Sequence, residues 1–210
     1  SYIYVIFHDQ YDSATCTFPV AYTVRAEKVS GSATASIAGY SVVYSGGTGM
    51  TFYGWSYTPI TTPGSERDDE YQPVSKITEN EITITDTTHL YPIFKSVHWI
   101  TFYSGYSGSG ATYYPDTYFF DGEGPTSLPG NLTRDAGDNG AYTFNGWYAG
   151  ATLTGEENKK EADITSAVKV ANADGTLVSD FSDTNHLGIS VTDGRIVLTE
   201  IGKASCRERG

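Results

Sequence analysis

The side chains able to do chemistry are few and scattered. Four histidines, His8, His89, His98 and His186, lie in strand-like or closing segments. None belongs to a His-x-x-x-His zinc pattern, none has a paired-carboxylate motif beside it, and no Gly-x-Ser-x-Gly elbow offers a nucleophile. A general base needs its partner within hydrogen-bond reach, and no spacing here promises that geometry. Each histidine therefore reads as a surface or packing residue, and the predicted catalytic set is empty. The run Glu66-Arg67-Asp68-Asp69-Glu70 has oxygen ligands for calcium but lacks the alternation of a calcium loop, so it reads as a solvated loop. Asn172-Ala173-Asp174-Gly175 reads as a turn, and no Gly-rich segment opens a helix that would cradle phosphate. No metal and no cofactor is predicted. Asn131-Leu132-Thr133 is a glycosylation sequon only where the source glycosylates.

What remains is aromatic. The 210 residues include 17 Tyr, 9 Phe and 3 Trp, against only 18% charged residues and a single Met. Aromatic and β-branched side chains suit a half-buried pleated surface, so the composition predicts short strands rather than helices. Twenty-three glycines and eight prolines supply the turns. The net charge of -12 repels phosphate backbones and anionic lipid, which argues against nucleic acid as a partner. No run of 18 apolar residues occurs, so no direct membrane insertion is predicted. Two cysteines, Cys16 and Cys206, make neither a disulfide framework nor a metal-ligand spacing. The chain opens on Ser1 and reads as a fragment, with any export signal or wall anchor outside it.

The elements that would position these aromatics recur. Tyr2-Ile3-Tyr4-Val5-Ile6-Phe7-His8 reads as a strand, and Val97-His98-Trp99-Ile100-Thr101-Phe102-Tyr103 repeats it with Phe102 over Phe7. Thr51-Phe52-Tyr53-Gly54-Trp55 returns as Thr143-Phe144-Asn145-Gly146-Trp147. Asp86-Thr87-Thr88-His89-Leu90 returns as Asp183-Thr184-Asn185-His186-Leu187. Three matches in one order predict tandem units of roughly 95 residues, spanning 2–95 and 96–201 with almost no linker. The alternative close of unit two is Gly194-Arg195-Ile196-Val197-Leu198-Thr199, which would make 168–191 an insertion. Residues 202–210 have neither alternation nor an apolar face, and read as a disordered or non-native tail that packs on nothing. Helical periodicity is weak; Glu156 to Val170, with Glu161, Ile164 and Val168 on one face, is the best candidate. Pro92 predicts an edge or a strand end. The fold class expected is mainly β or α+β with few helices.

The motif Tyr142-Thr143-Phe144-Asn145-Gly146-Trp147-Tyr148, its partner Met50-Thr51-Phe52-Tyr53-Gly54-Trp55-Ser56, and the close Asp86-Thr87-Thr88-His89-Leu90-Tyr91 resemble the Listeria/Bacteroides repeat, also met as the internalin B-repeat. The units here are longer than that repeat, and unit two departs from it after Leu187. The resemblance implies two tandem β-grasp-like units, with tandem β-sandwiches as the alternative. It also implies an extracellular, cell-surface or secreted setting, and a non-catalytic stalk or adhesive role. The partners implied are adjacent repeats of the same protein and a host or cell-surface protein or glycan.

Within this frame Phe7, Phe52, Gly54 and Trp55 are expected in the core of unit one, and Phe102, Phe144, Gly146 and Trp147 in that of unit two. The competing reading is a carbohydrate-binding module, for which Trp99, Tyr103, Tyr106, Tyr113, Tyr114 and Tyr148 are the candidate contact aromatics. An enzyme fragment would need converging ionisable groups that the sequence does not offer.

Overall fold

The computed structural model describes residues 1–47, 49–103, 116–132, 142–150, 152–154, 161–163, 165–178 and 195–204. Over these residues the chain is mainly β, with no helix, and it divides into two compact units, Ser1–Ser96 and Val97–Gly210.

Unit 1 opens with β1 (Tyr2–His8), where Ile3, Val5 and Phe7 are buried while Tyr2 and Tyr4 are exposed, the period-two signature of a half-buried strand. β1 turns back on β2 (Val20–Glu27) in an antiparallel pair running from Tyr2↔Glu27 to Phe7↔Tyr22. After β3 (Ala33–Ser36), β4 (Met50–Ser56) and β5 (Glu81–Ile84), the chain enters β6 (Thr88–Tyr103), which runs through the division at Ser96. β6 lies parallel to β1 from Val5↔Thr88 to Phe7↔Leu90, then antiparallel to β4 from Tyr91↔Ser56 to Ser96↔Met50. The main sheet of unit 1 is thus ordered β2-β1-β6-β4, with first and last strands adjacent and parallel, the β-grasp-like order.

Where a helix would cross such a sheet, unit 1 has a two-stranded sheet of β3 and β5. Their inward residues Ala33, Ala35, Ile82 and Ile84 share one core with Ile3, Val5, Phe7, Leu90, Phe94 and Trp55. Burying each large side chain stabilises by roughly 1.5–3 kcal/mol relative to leaving it exposed. Ile93 faces the other way and is covered by Ile60 and Val74 from the segment between β4 and β5.

Unit 2 repeats these relations. The second half of β6 pairs antiparallel with β7 (Thr117–Phe120) and parallel with β12 (Arg195–Ala204), from Trp99↔Arg195 to Tyr103↔Thr199. β12 runs antiparallel to β8 (Tyr142–Ala149), and β11 (Val168–Ala171) extends the sheet beyond β8. The order β7-β6-β12-β8 therefore corresponds to β2-β1-β6-β4. β9 (Thr152–Thr154) and β10 (Glu161–Asp163) form a separate pair. Ile100, Phe119, Leu128, Leu132, Phe144, Trp147 and Val170 make the core.

Several expectations change. Phe7 pairs with Leu90 and its counterpart Phe102 pairs with Leu198, so β12 stands in unit 2 where the first half of β6 stands in unit 1; Asp183–Leu187 lies outside the described residues. A partner for β6 must be a continuous strand, and the stretch from Ile196 to Thr199, β-branched at three of its four residues, supplies it. Of the stretch 168–191, Val168–Ala171 is a sheet strand with no counterpart in unit 1, and 179–191 lies outside the described residues. The helix candidate fails at its described positions: Glu161–Asp163 and Val168–Ala171 are strands, held by backbone ladders that override a weak helical pattern. The tail begins later than Gly202, because Gly202, Lys203 and Ala204 pair with Phe144, Thr143 and Tyr142. A ladder needs backbone groups, not apolar side chains. Residues 205–210, with Cys206, lie outside the described residues. Pro92 ends no strand; it sits inside β6 just past Leu90, where pairing with β1 has stopped. Among the described residues no helix is long and apolar enough to cross a membrane.

Candidate functional site

The two Gly-Trp motifs build the same node. Between Phe52 and Trp55, β4 advances three residues while β6 moves only from Phe94 to Pro92. Between Phe144 and Trp147, β8 advances three while β12 moves only from Gly202 to Glu200. Each is a one-residue bulge, the device that re-aims a side chain out of a regular ladder. Trp55 lies 4.9 Å from Phe7 and 4.9 Å from Phe52, ring to ring. Trp147 lies 4.8 Å from Phe102 and 5.4 Å from Phe144. The Trp55 indole N–H donates to the Tyr40 carbonyl at 2.9 Å, and that of Trp147 to the Pro129 carbonyl at 2.8 Å. Both tryptophans are buried with their polar edge satisfied, as buried indoles require.

The glycines differ. A side chain at Gly54 would meet the Lys76 methylenes, whereas Gly146 has φ +118 and faces the Ala171 carbonyl. Phe7, Phe144 and Gly146 are buried, while Phe52, Gly54 and Phe102 are half-buried beside the cores.

The candidate ligand aromatics do not assemble into one platform. Trp99 is half-buried and meets Tyr118 edge-on at 5.1 Å across the β6–β7 ladder. Tyr148 is buried, with Asn145 donating to its hydroxyl and the Lys169 ammonium 5.8 Å from its ring, so it is not a surface contact. Alternation turns it away from Trp147, but that face is covered too. Tyr106, Tyr113 and Tyr114 lie outside the described residues, as does the side chain of Tyr103. Exposed aromatics that sequence reasoning passed over include Tyr2 and Tyr4, neighbours on one face of β1, 52% and 40% accessible, with the Arg25 guanidinium 4.4 Å above the Tyr2 ring. Their alternation with buried Ile3 and Val5 was the signal that marks them as outward.

No protein-family model, curated protein or solved structure matches the chain.

The ionisable groups are mostly engaged locally. Asp68 accepts the backbone N–H of Glu70 and Gln72, Asp69 is bonded to Thr61, and Glu66 pairs with Lys95 at 3.5 Å. The acidic run is therefore a self-bonded loop, and among the described residues no cluster of three metal-ligating side chains occurs. Asp174 accepts from the hydroxyl and backbone N–H of Thr176, which hold its carboxyl below the usual range. Burial, aided by Glu79, pushes the Tyr57 hydroxyl up.

Two histidine contacts were invisible to sequence spacing. His98 Nε2 donates to Asp121 at 3.0 Å. His8, on β1, and His89, on β6, meet with Nε2 and Nδ1 2.8 Å apart. His8 Nδ1 lies 3.0 Å from the Phe18 carbonyl, and its ring lies parallel to Tyr91 at 4.8 Å. Among the described residues neither imidazole of this pair bonds a hydroxyl, thiol or carboxylate, so the pair offers no activated nucleophile. His186 lies outside the described residues.

Proposed function

We propose that the chain is a non-catalytic structural or adhesive module, a stalk or spacer segment of a bacterial cell-surface or secreted repeat protein akin to the Listeria/Bacteroides repeats. One observation carries this reading: what the two units share is a core node of two phenylalanines, a bulge and an indole bonded to a carbonyl, not a constellation of polar groups. A duplicated ligand site would instead keep its contact residues.

The strand order supports a load-bearing role. The first and last strands of each unit are adjacent and parallel, so tension along the chain loads their hydrogen bonds in shear, together, rather than peeling them one by one. Pulling the chain from its ends should give two rupture events. The first unit should release roughly 300 Å of chain, at about 3.6 Å per residue. Each event should need more force than pulling the β1–β2 hairpin apart from its open end. Equal forces in the two geometries would sink the spacer reading.

A second reading, glycan binding, draws on Tyr2 and Tyr4, outward neighbours on one strand with a cation beside them. Aromatic faces and an adjacent guanidinium suit a sugar ring. A glycan array with wild type and Tyr2→Ala/Tyr4→Ala decides it, since only a glycan module loses signal on substitution.

A further inference from the structure

We propose that His8 and His89 form a proton-controlled lock between the first and last strands of unit 1. A carbonyl oxygen only accepts, so His8 Nδ1, 3.0 Å from the Phe18 carbonyl, carries a hydrogen. In the neutral ring Nε2 is then a bare acceptor, and it faces His89 Nδ1 at 2.8 Å. His89 must donate there. The two ring planes lie within 18° and their centroids are 5.1 Å apart, the separation of two rings in line, so the rings meet edge to edge with the N–H aimed at the lone pair.

The geometry suits a proton and not a metal. Zinc needs each nitrogen about 2.0–2.1 Å away, and two nitrogens 2.8 Å apart and aimed at one another leave no room for it. One added proton, at Nε2 of the exposed His89, leaves the bond intact and makes it charge-assisted. A second can enter only at His8 Nε2. That places two N–H groups face to face and forces the rings apart.

The neighbours on the packed strands are uncharged. From β6, Tyr91 presents its ring face to His8. Opposite Tyr91, β4 contributes Ser56, and across from His8, β2 contributes Val20. The carboxylates next along the chain are Asp9 and Asp86, each accepting one backbone N–H, from Gln10 and Thr87. The lock matters because the backbone pairing between β1 and β6 is short, only Val5↔Thr88 to Phe7↔Leu90. The side-chain bond extends that seam by a further rung. Unit 2 has Phe102-Tyr103 and Val197 at the matching positions and no such pair.

Imidazole nitrogen NMR on the full chain at pH 8 tests the bond directly, and independently of any mechanical role. The expected result is His8 protonated at Nδ1 and a scalar coupling between His8 Nε2 and His89 Nδ1; a hydrogen on His8 Nε2 overturns the proposal. Unfolding rates from pH 8 to pH 4.5 test the switch. At pH 8, His89→Ala should unfold about fivefold faster than wild type, the loss of one side-chain hydrogen bond. His89→Asn, whose amide can donate in the same place, should recover most of that. Toward pH 4.5 the gap between wild type and His89→Ala should close or reverse. A gap that is absent at pH 8, or undiminished at pH 4.5, overturns the lock.

Discussion

Alanine placed at the two equivalent glycines should have unequal consequences. At Gly146 the backbone has φ +118, and the new methyl would sit 2.1 Å from the Ala171 carbonyl oxygen. Neither problem has a cheap remedy: the strained φ costs about 1–3 kcal/mol. Moving the carbonyl loosens the β8–β11 ladder at about 0.5–1.5 kcal/mol per bond. A more restricted unfolded chain returns about 0.4–1 kcal/mol, leaving a net loss of roughly 0.5–4 kcal/mol, centred near 2 kcal/mol. At Gly54 the methyl would meet Lys76 Cδ at 2.3 Å, but a lysine stem can swing aside. It would give up its contact with the Tyr53 ring, 4.1 Å from the ammonium. That contact is worth about 0.5–1 kcal/mol, so the unfolded-chain gain nearly cancels it. Thermal unfolding followed by NMR at the Trp55 and Trp147 indole N–H reads each unit separately. Gly146→Ala should lower the unit 2 midpoint by roughly 8–16 °C, and Gly54→Ala should move that of unit 1 by less than about 5 °C. A Gly54→Ala loss equal to or larger than that of Gly146→Ala would refute the reasoning.

Trp55→Ala and Trp147→Ala should each cost roughly 3–5 kcal/mol in denaturant unfolding, with no change in glycan-array signal if the chain is a spacer. Tyr148→Ala should approach a core loss, about 3 kcal/mol, because that ring is buried. Thr176→Val should bring the Asp174 carboxyl back toward the ordinary range in an NMR titration, since Thr176 lowers it. The Asp174 carboxylate is favoured in the fold, so its contribution is present above the usual aspartate range, about 4. It is lost as pH falls through its depressed folded value, and Thr176→Val should flatten that acid limb.

The sequence carried whatever is written locally. Alternation at Ile3, Val5 and Phe7 marked β1, and the Gly-Trp pentapeptides located both nodes because a bulge needs its glycine and aromatics within a few residues. The parallel pairing was hidden, since residues such as Phe102 and Leu198 are joined across most of a unit and nothing local records it. That is why a pentapeptide likeness at Asp183–Leu187 competed with the true last strand. It is also why His8 and His89, remote in sequence, read as two isolated histidines. Tyr148 departs from expectation for a different reason. Alternation predicts which way a side chain points, not whether Asn145 and Lys169 lie over it.

The parallel closure also governs how the chain can be made. Val5, Ile6 and Phe7 are synthesised first, while their partners Thr88, His89 and Leu90 arrive only when nearly the whole unit has emerged. Until then the β1–β2 hairpin presents an open edge, the kind of surface that invites pairing with a stranger. Contacts so distant in sequence form slowly. Unit 2 repeats the wait, from Trp99–Tyr103 to Arg195–Thr199. Because β6 holds the closing residues of the first unit and the opening residues of the second, its synthesis ends one search and begins the next. Domains generally fold as units from the N-terminus. The nascent chain therefore waits on one parallel closure at a time.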